Sequence, residues 1–210
     1  ILNGTCNYIL TEMREKGREF ADVLKEAQAL GYAEADPTFD VEGIDAAHKL
    51  TILASIAFGL PLQFEKAYTE GISGITIEDI RYADELGYRI KHLGIARKSD
   101  DGVELRVHPT LIADDKLIAN VNGVMNAVMV QCDAVGPTMY YGAGAGALPT
   151  ASAVVADVID VARSISHPQD SVPALAFQED SLSDLPVLPI EAVDSAYYLR
   201  VQAKDKAGVL

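Results

Sequence analysis

Residues 31–60 read GYAEADPTFDVEGIDAAHKLTILASIAFGL, an acid-rich segment followed directly by an apolar one. Segment 32–43 carries Pro37 and four carboxylates without apolar periodicity, so it is predicted to be a loop. Segment 43–60 is apolar on nearly every side of a helix and is followed by Pro61, which predicts a long buried helix. Most of the candidate functional residues lie where this loop enters the helix.

Asp45 and Lys49 are four residues apart, so they share one face of the predicted helix. That face continues through Ile52, Leu53 and Ile56, which are predicted to be core residues, so Lys49 is expected to point inward near the carboxylates of the loop. Burial lowers the pKa of a lysine and nearby carboxylates raise it, and a lysine in that balance suits proton transfer. The alternative interpretation is a structural ion pair.

Glu34 and Asp40 lie on the loop that enters this helix. Fixed carboxylates suit a ligand with an ammonium group, or a hydroxyl group that must be oriented. A solvated acidic loop and a divalent-metal site are the alternatives. The spacing does not match the Asp-x-Asp-x-Asp-Gly calcium loop, so a metal site is less favoured.

A glycine run at 142–146 precedes a helix predicted over 150–163. It matches the dinucleotide-binding fingerprint imperfectly, because no strand ending in an acid follows about 20 residues later. Two interpretations stay open, a turn that approaches a cofactor held by another domain and a simple strand-to-helix turn. Cys6 has no identifiable histidine partner, so a buried thiol is favoured over a nucleophile.

Composition limits the class of protein. The 210 residues are 49% hydrophobic with a formal net charge of -14, which is typical of a packed globular protein and argues against nucleic-acid binding. The two cysteines form no disulfide framework, which indicates a reducing, cytoplasmic setting. No apolar run is long enough to span a bilayer, and the opening without Met indicates a fragment.

The order of predicted elements indicates the fold class. Helices are predicted over 3–18, 20–30, 43–60 and 150–163, and a further helix with the start of a strand over 77–96. Strands are predicted at 104–108, ended by Pro109, and at 124–134, 139–141 and 196–203. Strands and helices without regular alternation indicate an α+β fold, a mixed sheet layered with helices.

Several motifs resemble homoserine dehydrogenase. They are NGTCNYIL at 3–10, GYAEADP at 31–37 with Asp40, Asp45 and Lys49, VHPTL at 107–111, NVNGVMNA at 120–127 and YYGAGAG at 140–146. They cover about residues 1–165 in the family's order, which is far more specific than a lone glycine pattern.

The resemblance implies NAD(P)-dependent interconversion of L-aspartate 4-semialdehyde and L-homoserine, in the biosynthesis of threonine, methionine and isoleucine. Lys49 then matches the lysine that gives a proton to the forming alkoxide. The other matches are acidic residues that bind homoserine and organise the lysine (Glu34, Asp40, Asp45), residues that line the substrate pocket (Thr5, Tyr32) and backbone positions near the cofactor (Gly31, Gly146). No residue is assigned to a metal.

The resemblance also implies a domain plan: a catalytic and dimerisation domain at 1–165, a linker at 166–192 and the truncated start of an ACT-like regulatory domain at 193–210. The family's N-terminal Rossmann domain is not in this sequence, so the choice between NAD and NADP is not encoded here and the chain alone is expected to be inactive and insensitive to threonine. A homodimer through the sheet is implied. Two alternatives stay open, a non-catalytic amino-acid-binding module and, less favoured, a cysteine-dependent aldehyde dehydrogenase using Cys6.

Overall fold

The structure, a computed structural model, describes residues 1–167, 172–173 and 175–203. Within these ranges, six α-helices and five strands form a mixed three-stranded sheet, a separate two-stranded hairpin and the helices around them. The predicted α+β class is therefore confirmed. Short 3-10 turns occur at Phe64–Lys66, Leu117–Asn120, Glu179–Ser181 and Ile190–Ala192.

The first two helices build one core together. Helix α1 (Gly4–Lys16) begins at Asn3, whose side chain accepts a hydrogen bond from the backbone N–H of Cys6, and it ends at a left-handed Gly17. Helix α2 (Phe20–Ala29) contributes two buried residues four apart to the core cluster of α1. Both helices lie where the apolar spacing predicts them.

The segment predicted as an unbroken loop, 32–43, contains a one-turn helix, α3 (Thr38–Val41), so that prediction was wrong for these four residues. Asp36 accepts hydrogen bonds from the backbone N–H and the hydroxyl of Thr38, at 3.1 and 2.7 Å, and thereby starts the turn. One turn is too short to show an apolar period. Helix α4 (Ile44–Phe58) follows between Gly43 and Gly59, as predicted.

Helix α4 is buried on one face only, so the prediction of burial on nearly every side was wrong. Its buried residues, Ala46, Ala47, Leu50, Thr51, Ala54 and Ser55, include those that pack against the sheet. Ile52, Leu53 and Ile56 are 46%, 37% and 41% exposed. A helix that packs on a single sheet buries a single stripe, and nothing in the described part of the chain covers the opposite face of α4.

The sheet consists of β1 (Tyr68–Thr69), β2 (Tyr88–Lys98) and β3 (Val103–Ala113), in the order β1-β3-β2. Strand β1 is parallel to β3, and β2 is antiparallel to β3 across the turn predicted at 98–102. Helix α5 (Ile77–Glu85) connects β1 to β2 and starts with a capping box between Thr76 and Asp79.

Strand β3 runs through Pro109 to Ala113, so the prediction that the proline ends it was wrong. Pro109 stays in register opposite His92 of β2, and β1 reaches only as far as Val107. Proline is tolerated at such an edge position because its missing N–H is not required by a third strand.

The hairpin of β4 (Met125–Cys132) and β5 (Gly136–Ala143) leads through the glycine-rich turn into helix α6 (Ala147–Ser166). Every residue of α6 except Ser164 is exposed. The exposed side chains include large apolar ones from both elements: Met129, Val130, Tyr140, Tyr141, Leu148, Val154, Val155, Val158, Ile159, Val161 and Ile165. So many exposed apolar side chains on two consecutive elements are typical of a surface that another protein surface covers.

The strand predicted at 196–203 does not form. A strand needs a neighbour for its backbone groups, and the contacts of this segment come from side chains instead. Arg200 lies 3.0 Å from Asp79, and Tyr198 donates a hydrogen bond to Asp79 at 3.4 Å. Residues 204–210, where the ACT-like turn is expected, lie outside the described residues, as does Pro168 of the expected linker.

A buried lysine joins the main sheet to α1 and to the entry of the hairpin. Nζ of Lys91, on β2, donates hydrogen bonds to the side chains of Asn7 and Asn122 and to the carbonyl of Val121. Lys91 is 1% exposed. Burial lowers its pKa to about 7, and the positive charges of Arg14 and Arg89 act in the same direction.

Stability should therefore depend on pH through Lys91. The pKa of a lysine in the unfolded chain is ~10.4, so the folded state binds fewer protons between about pH 7 and 10 and stability rises with pH through that window. Lys91→Met removes this dependence. Relative to Lys91→Met, the melting temperature of the wild type should rise as the pH is raised from 7 to 9. A difference in melting temperature that stays constant with pH would contradict this.

Candidate active site

The candidate site is centred on an ion pair in the first turns of α4. Nζ of Lys49 lies 2.6 Å from Oδ2 of Asp45 and donates a second hydrogen bond to the carbonyl of Leu2 at 3.1 Å. The two side chains share one helix face, as their spacing predicts. The Lys49 side chain is 50% exposed, so the prediction that it points into the core was wrong, because its face of α4 is open in this chain.

The side-chain amide of Asn3 connects this ion pair to the preceding loop. Its Nδ2 donates hydrogen bonds to Oδ1 of Asp40 at 2.7 Å and to Oδ2 of Asp45 at 2.9 Å. Three chain segments, α1, α3 and α4, therefore meet at one nitrogen. Two of the predicted acidic residues and the predicted lysine are brought together here.

Gly43 allows the chain to turn from α3 into α4. Its φ of 82° is left-handed, and a Cβ at this position would lie 3.0 Å from the ring of His92 and 3.2 Å from Cγ2 of Thr69. His92 is itself fixed by a contact of 2.9 Å between its Nε2 and the carbonyl of Glu70. Glycine is thus required on both conformational and steric grounds. The turn at Gly43 determines where α4 begins and therefore where Asp45, in its first turn, lies.

Thr5 and Tyr32 contact each other where α1 meets the segment after α2. The Thr5 hydroxyl donates a hydrogen bond to the carbonyl of Tyr32 at 2.6 Å, and the Tyr32 ring packs edge-on against Tyr8 with 5.1 Å between centroids. Gly31 precedes them in the left-handed region, with φ 75° and open space around its Cα. The start of α1 and the segment after α2 are therefore held against each other.

Five of the predicted site residues, Thr5, Gly31, Tyr32, Glu34 and Gly146, make no hydrogen bond to Asp40, Asp45 or Lys49 within the described ranges. The side chain of Glu34 is exposed on the loop, and Gly146 is exposed between β5 and α6. Whether Glu34 and Gly146 take part in the site stays a prediction.

Cys6 is buried, as predicted for a structural thiol. Its Sγ donates to the carbonyl of Asp40 at 3.1 Å. Burial raises the pKa of the thiol well above its usual range, and the carboxylates of Asp40 and Asp45 raise it further. A thiol held in its protonated form is a poor nucleophile, which disfavours the cysteine-dependent mechanism.

The remaining surface features were compared with this centre. Depressions of ≈ 440 and ≈ 410 Å³ lie beside the end of α6 and around Phe177, and neither is lined by the residues above. Among the described residues, no group of His, Cys, Asp and Glu side chains could hold a metal ion. None of the described helices is long and apolar enough to cross a membrane.

Asn3 and Lys91 were not predicted as parts of this arrangement. An asparagine directly before a helix is a recognised N-cap signal, so the N-cap role of Asn3 could be predicted from the sequence. Its hydrogen bonds to Asp40 and Asp45 could not. Lys91 gives no sequence signal, since a lysine within a strand is typically solvent-exposed.

Comparison with known proteins assigns the chain to a family. The family model for homoserine dehydrogenase matches residues 1–159. The chain belongs to the homoserine dehydrogenase family. A homoserine dehydrogenase of Pseudomonas aeruginosa is 75% identical over 100% of this chain and 49% of its own length.

Solved homoserine dehydrogenases have the same fold. The crystal structure from Thiobacillus denitrificans is 71% identical and covers 92% of this chain and 45% of its own, with a TM-score of 0.88. A hyperthermophilic archaeal homoserine dehydrogenase in complex with NADPH is 31% identical and covers 76% of this chain and 45% of its own, with a TM-score of 0.60. The chain spans about half the length of the curated relatives it matches.

Gly43 and Gly31 offer a matched test of how the site is built. Both have left-handed φ angles, so replacement by alanine should cost about 1–2 kcal/mol at either position. Gly43→Ala should cost about 1–3 kcal/mol more, because its Cβ meets the His92 ring whereas that of Gly31 meets open space. Denaturant unfolding measures both, and equal losses would show that the close packing around Gly43 is not as described.

Proposed function

We propose that this chain is the catalytic half of an NAD(P)-dependent homoserine dehydrogenase, which interconverts L-aspartate 4-semialdehyde and L-homoserine. The observation that carries this proposal is the Lys49–Asp45 ion pair, with Nζ and Oδ2 2.6 Å apart, connected through Asn3 to Asp40. A proton donor beside fixed carboxylates suits reduction of an aldehyde on a substrate that carries an ammonium group.

Lys49 transfers the proton in this mechanism. In the reductive direction its ammonium gives a proton to the alkoxide oxygen as that oxygen forms, and in the oxidative direction its amine takes the hydroxyl proton of homoserine. Asp45 holds Nζ in place and stabilises its charged form. Half of the Lys49 side chain is exposed, so its ammonium is accessible to a ligand that binds beside α4.

The acidic residues of the site and the contact between α1 and the segment after α2 recognise the substrate. The carboxylates of Asp40, Asp45 and Glu34 bind the ammonium group of the amino-acid substrate, and Thr5 and Tyr32 line its pocket. Support comes from the position of Asp40, which hydrogen-bonds the same amide as Asp45, and from the contact between Thr5 and Tyr32. Glu34 is exposed on the same loop, where its carboxylate is open to a ligand.

The nicotinamide nucleotide, when bound, supplies or accepts the hydride. Gly31 and Gly146 are exposed backbone positions, and neither would bring a Cβ closer than 3.5 Å to a neighbour, which fits close approach by a cofactor held mainly outside this chain. A hyperthermophilic archaeal relative has been solved in complex with NADPH, which supports a nicotinamide nucleotide as the cofactor. The choice between NAD and NADP belongs to the half of the protein that binds its adenosine end.

The exposed apolar surfaces support a larger assembly. We propose that the hairpin β4–β5 contributes to a homodimer interface and that the open face of α4 is covered in the complete enzyme, because Tyr140, Tyr141 and Ile52 would otherwise stay in water. Residues 1–165 then form the catalytic and dimerisation domain. Residues 166–192 act as a linker to an ACT-like start at 193–210.

The free thiols of Cys6 and Cys132 support a cytoplasmic setting. The proposed reaction there serves the biosynthesis of threonine and methionine.

The decisive assay is homoserine-dependent reduction of NAD and NADP, followed by absorbance, in the full-length protein with the upstream half present. Lys49→Ala should lower kcat by about 10²-fold or more, because the proton is needed mainly in the transition state. Substrate affinity should change little by comparison.

Lys25→Ala is the matched control, since Lys25 is an exposed lysine on α2, away from the site. It should keep wild-type activity. A wild type inactive with both nucleotides would overturn the dehydrogenase and leave an amino-acid-binding module. Equal activity in Lys49→Ala and the wild type would keep the reaction but remove Lys49 from its mechanism.

A further inference from the structure

Asn3 uses every polar group of its side chain. Its Oδ1 accepts the backbone N–H of Cys6 at 2.8 Å, and its Nδ2 donates to Asp40 at 2.7 Å and to Asp45 at 2.9 Å. The residue is 6% exposed, so no competing water is readily available to these groups. A buried amide with all three bonds made is fixed in position.

The orientation of the amide follows from its partners. The backbone N–H of Cys6 can only donate, and ionised carboxylates can only accept. Flipping the amide would place donor against donor on one side and oxygen against two carboxylates on the other. The nitrogen therefore faces Asp40 and Asp45.

The two carboxylates need such a partner. Asp40 lies on α3 and Asp45 on α4, so no single helix fixes the distance between them. Both lie within 2.9 Å of the same nitrogen, where like charges repel each other. Asp45 also accepts a hydrogen bond from Lys49, whereas among the described residues only Asn3 donates a hydrogen bond to the side chain of Asp40.

We propose that Asn3 is a positioning residue for the reaction. Its amide holds the carboxylates of Asp40 and Asp45 at the separation that receives the substrate ammonium, and it keeps Asp45 where Asp45 fixes Nζ of Lys49. This role rests on the proposed dehydrogenase function and adds a residue to it. Asn3 itself acts through the two carboxylates rather than on the reacting atoms.

The N-cap function of Asn3 must be separated from this role. Serine is as good an N-cap as asparagine, so Asn3→Ser keeps the bond to the N–H of Cys6. A hydroxyl has one hydrogen and a shorter reach, so it cannot bridge both carboxylates. Asn3→Ala loses both roles. Thr76→Ala removes the side-chain cap of α5 and is a control for cap loss away from the site.

The experiment compares these three variants with the wild type in the full-length protein, by melting temperature and by kinetics of homoserine oxidation. Asn3→Ser should melt close to the wild type but lose about 10- to 100-fold in kcat/KM, with a raised KM for homoserine and an unchanged KM for the nucleotide. Asn3→Ala should lose both stability and activity. Thr76→Ala should lose stability only.

Wild-type kinetics in Asn3→Ser would overturn the positioning role while the dehydrogenase stands. Equal rises in both KM values would also overturn it, since a general structural defect does not select one substrate. An inactive wild type would overturn the proposed function and this role with it, so the two failures are distinguishable.

Discussion

The hydrogen bonds of one buried amide, that of Asn3, hold together the parts of this molecule on which its chemistry depends. They join the first turn of α1 to a carboxylate on α3 and to another on α4. One turn further along, the same helix is fixed by Asn7, whose Nδ2 donates to the carbonyls of Val121, Gly123 and Met125. Helix α1 therefore connects the start of the hairpin to the site through hydrogen bonds that are costly to break when buried.

Open apolar faces distinguish this chain from a self-sufficient globular domain. Helix α4 leaves Ile52, Leu53 and Ile56 exposed, and α6 leaves nearly all of its residues exposed. The exposed face of α4 is the one that carries Asp45 and Lys49. A second surface laid against it would enclose the lysine, remove water from the ion pair and strengthen its electrostatics. A surface that covers this face of α4 would therefore complete the environment of the ion pair.

Local signals in the sequence predicted most of the fold. Gly59 and Pro61 predict the end of α4, and the apolar spacing of 20–30 predicts α2. The pairing of Asp45 with Lys49 followed from their spacing alone. The one-turn helix α3 was missed because it is too short to show an apolar period, and the other errors share one physical cause, which is tertiary context. Strand β3 continues through Pro109 because β1 does not extend beside that residue. The strand predicted at 196–203 does not form because no neighbouring strand pairs with it. Periodicity also cannot tell whether an apolar helix face is covered.

We propose that the carboxylates around Asn3 recognise the ammonium group of the substrate. The most direct test of this proposal compares, in the full-length protein, the oxidation of homoserine with that of 4-hydroxybutanoate, which is the same molecule without the amino group. We expect kcat/KM to fall by about 10⁴-fold for the analogue, because the carboxylates are then left without their partner. Comparable values for the two alcohols would contradict it.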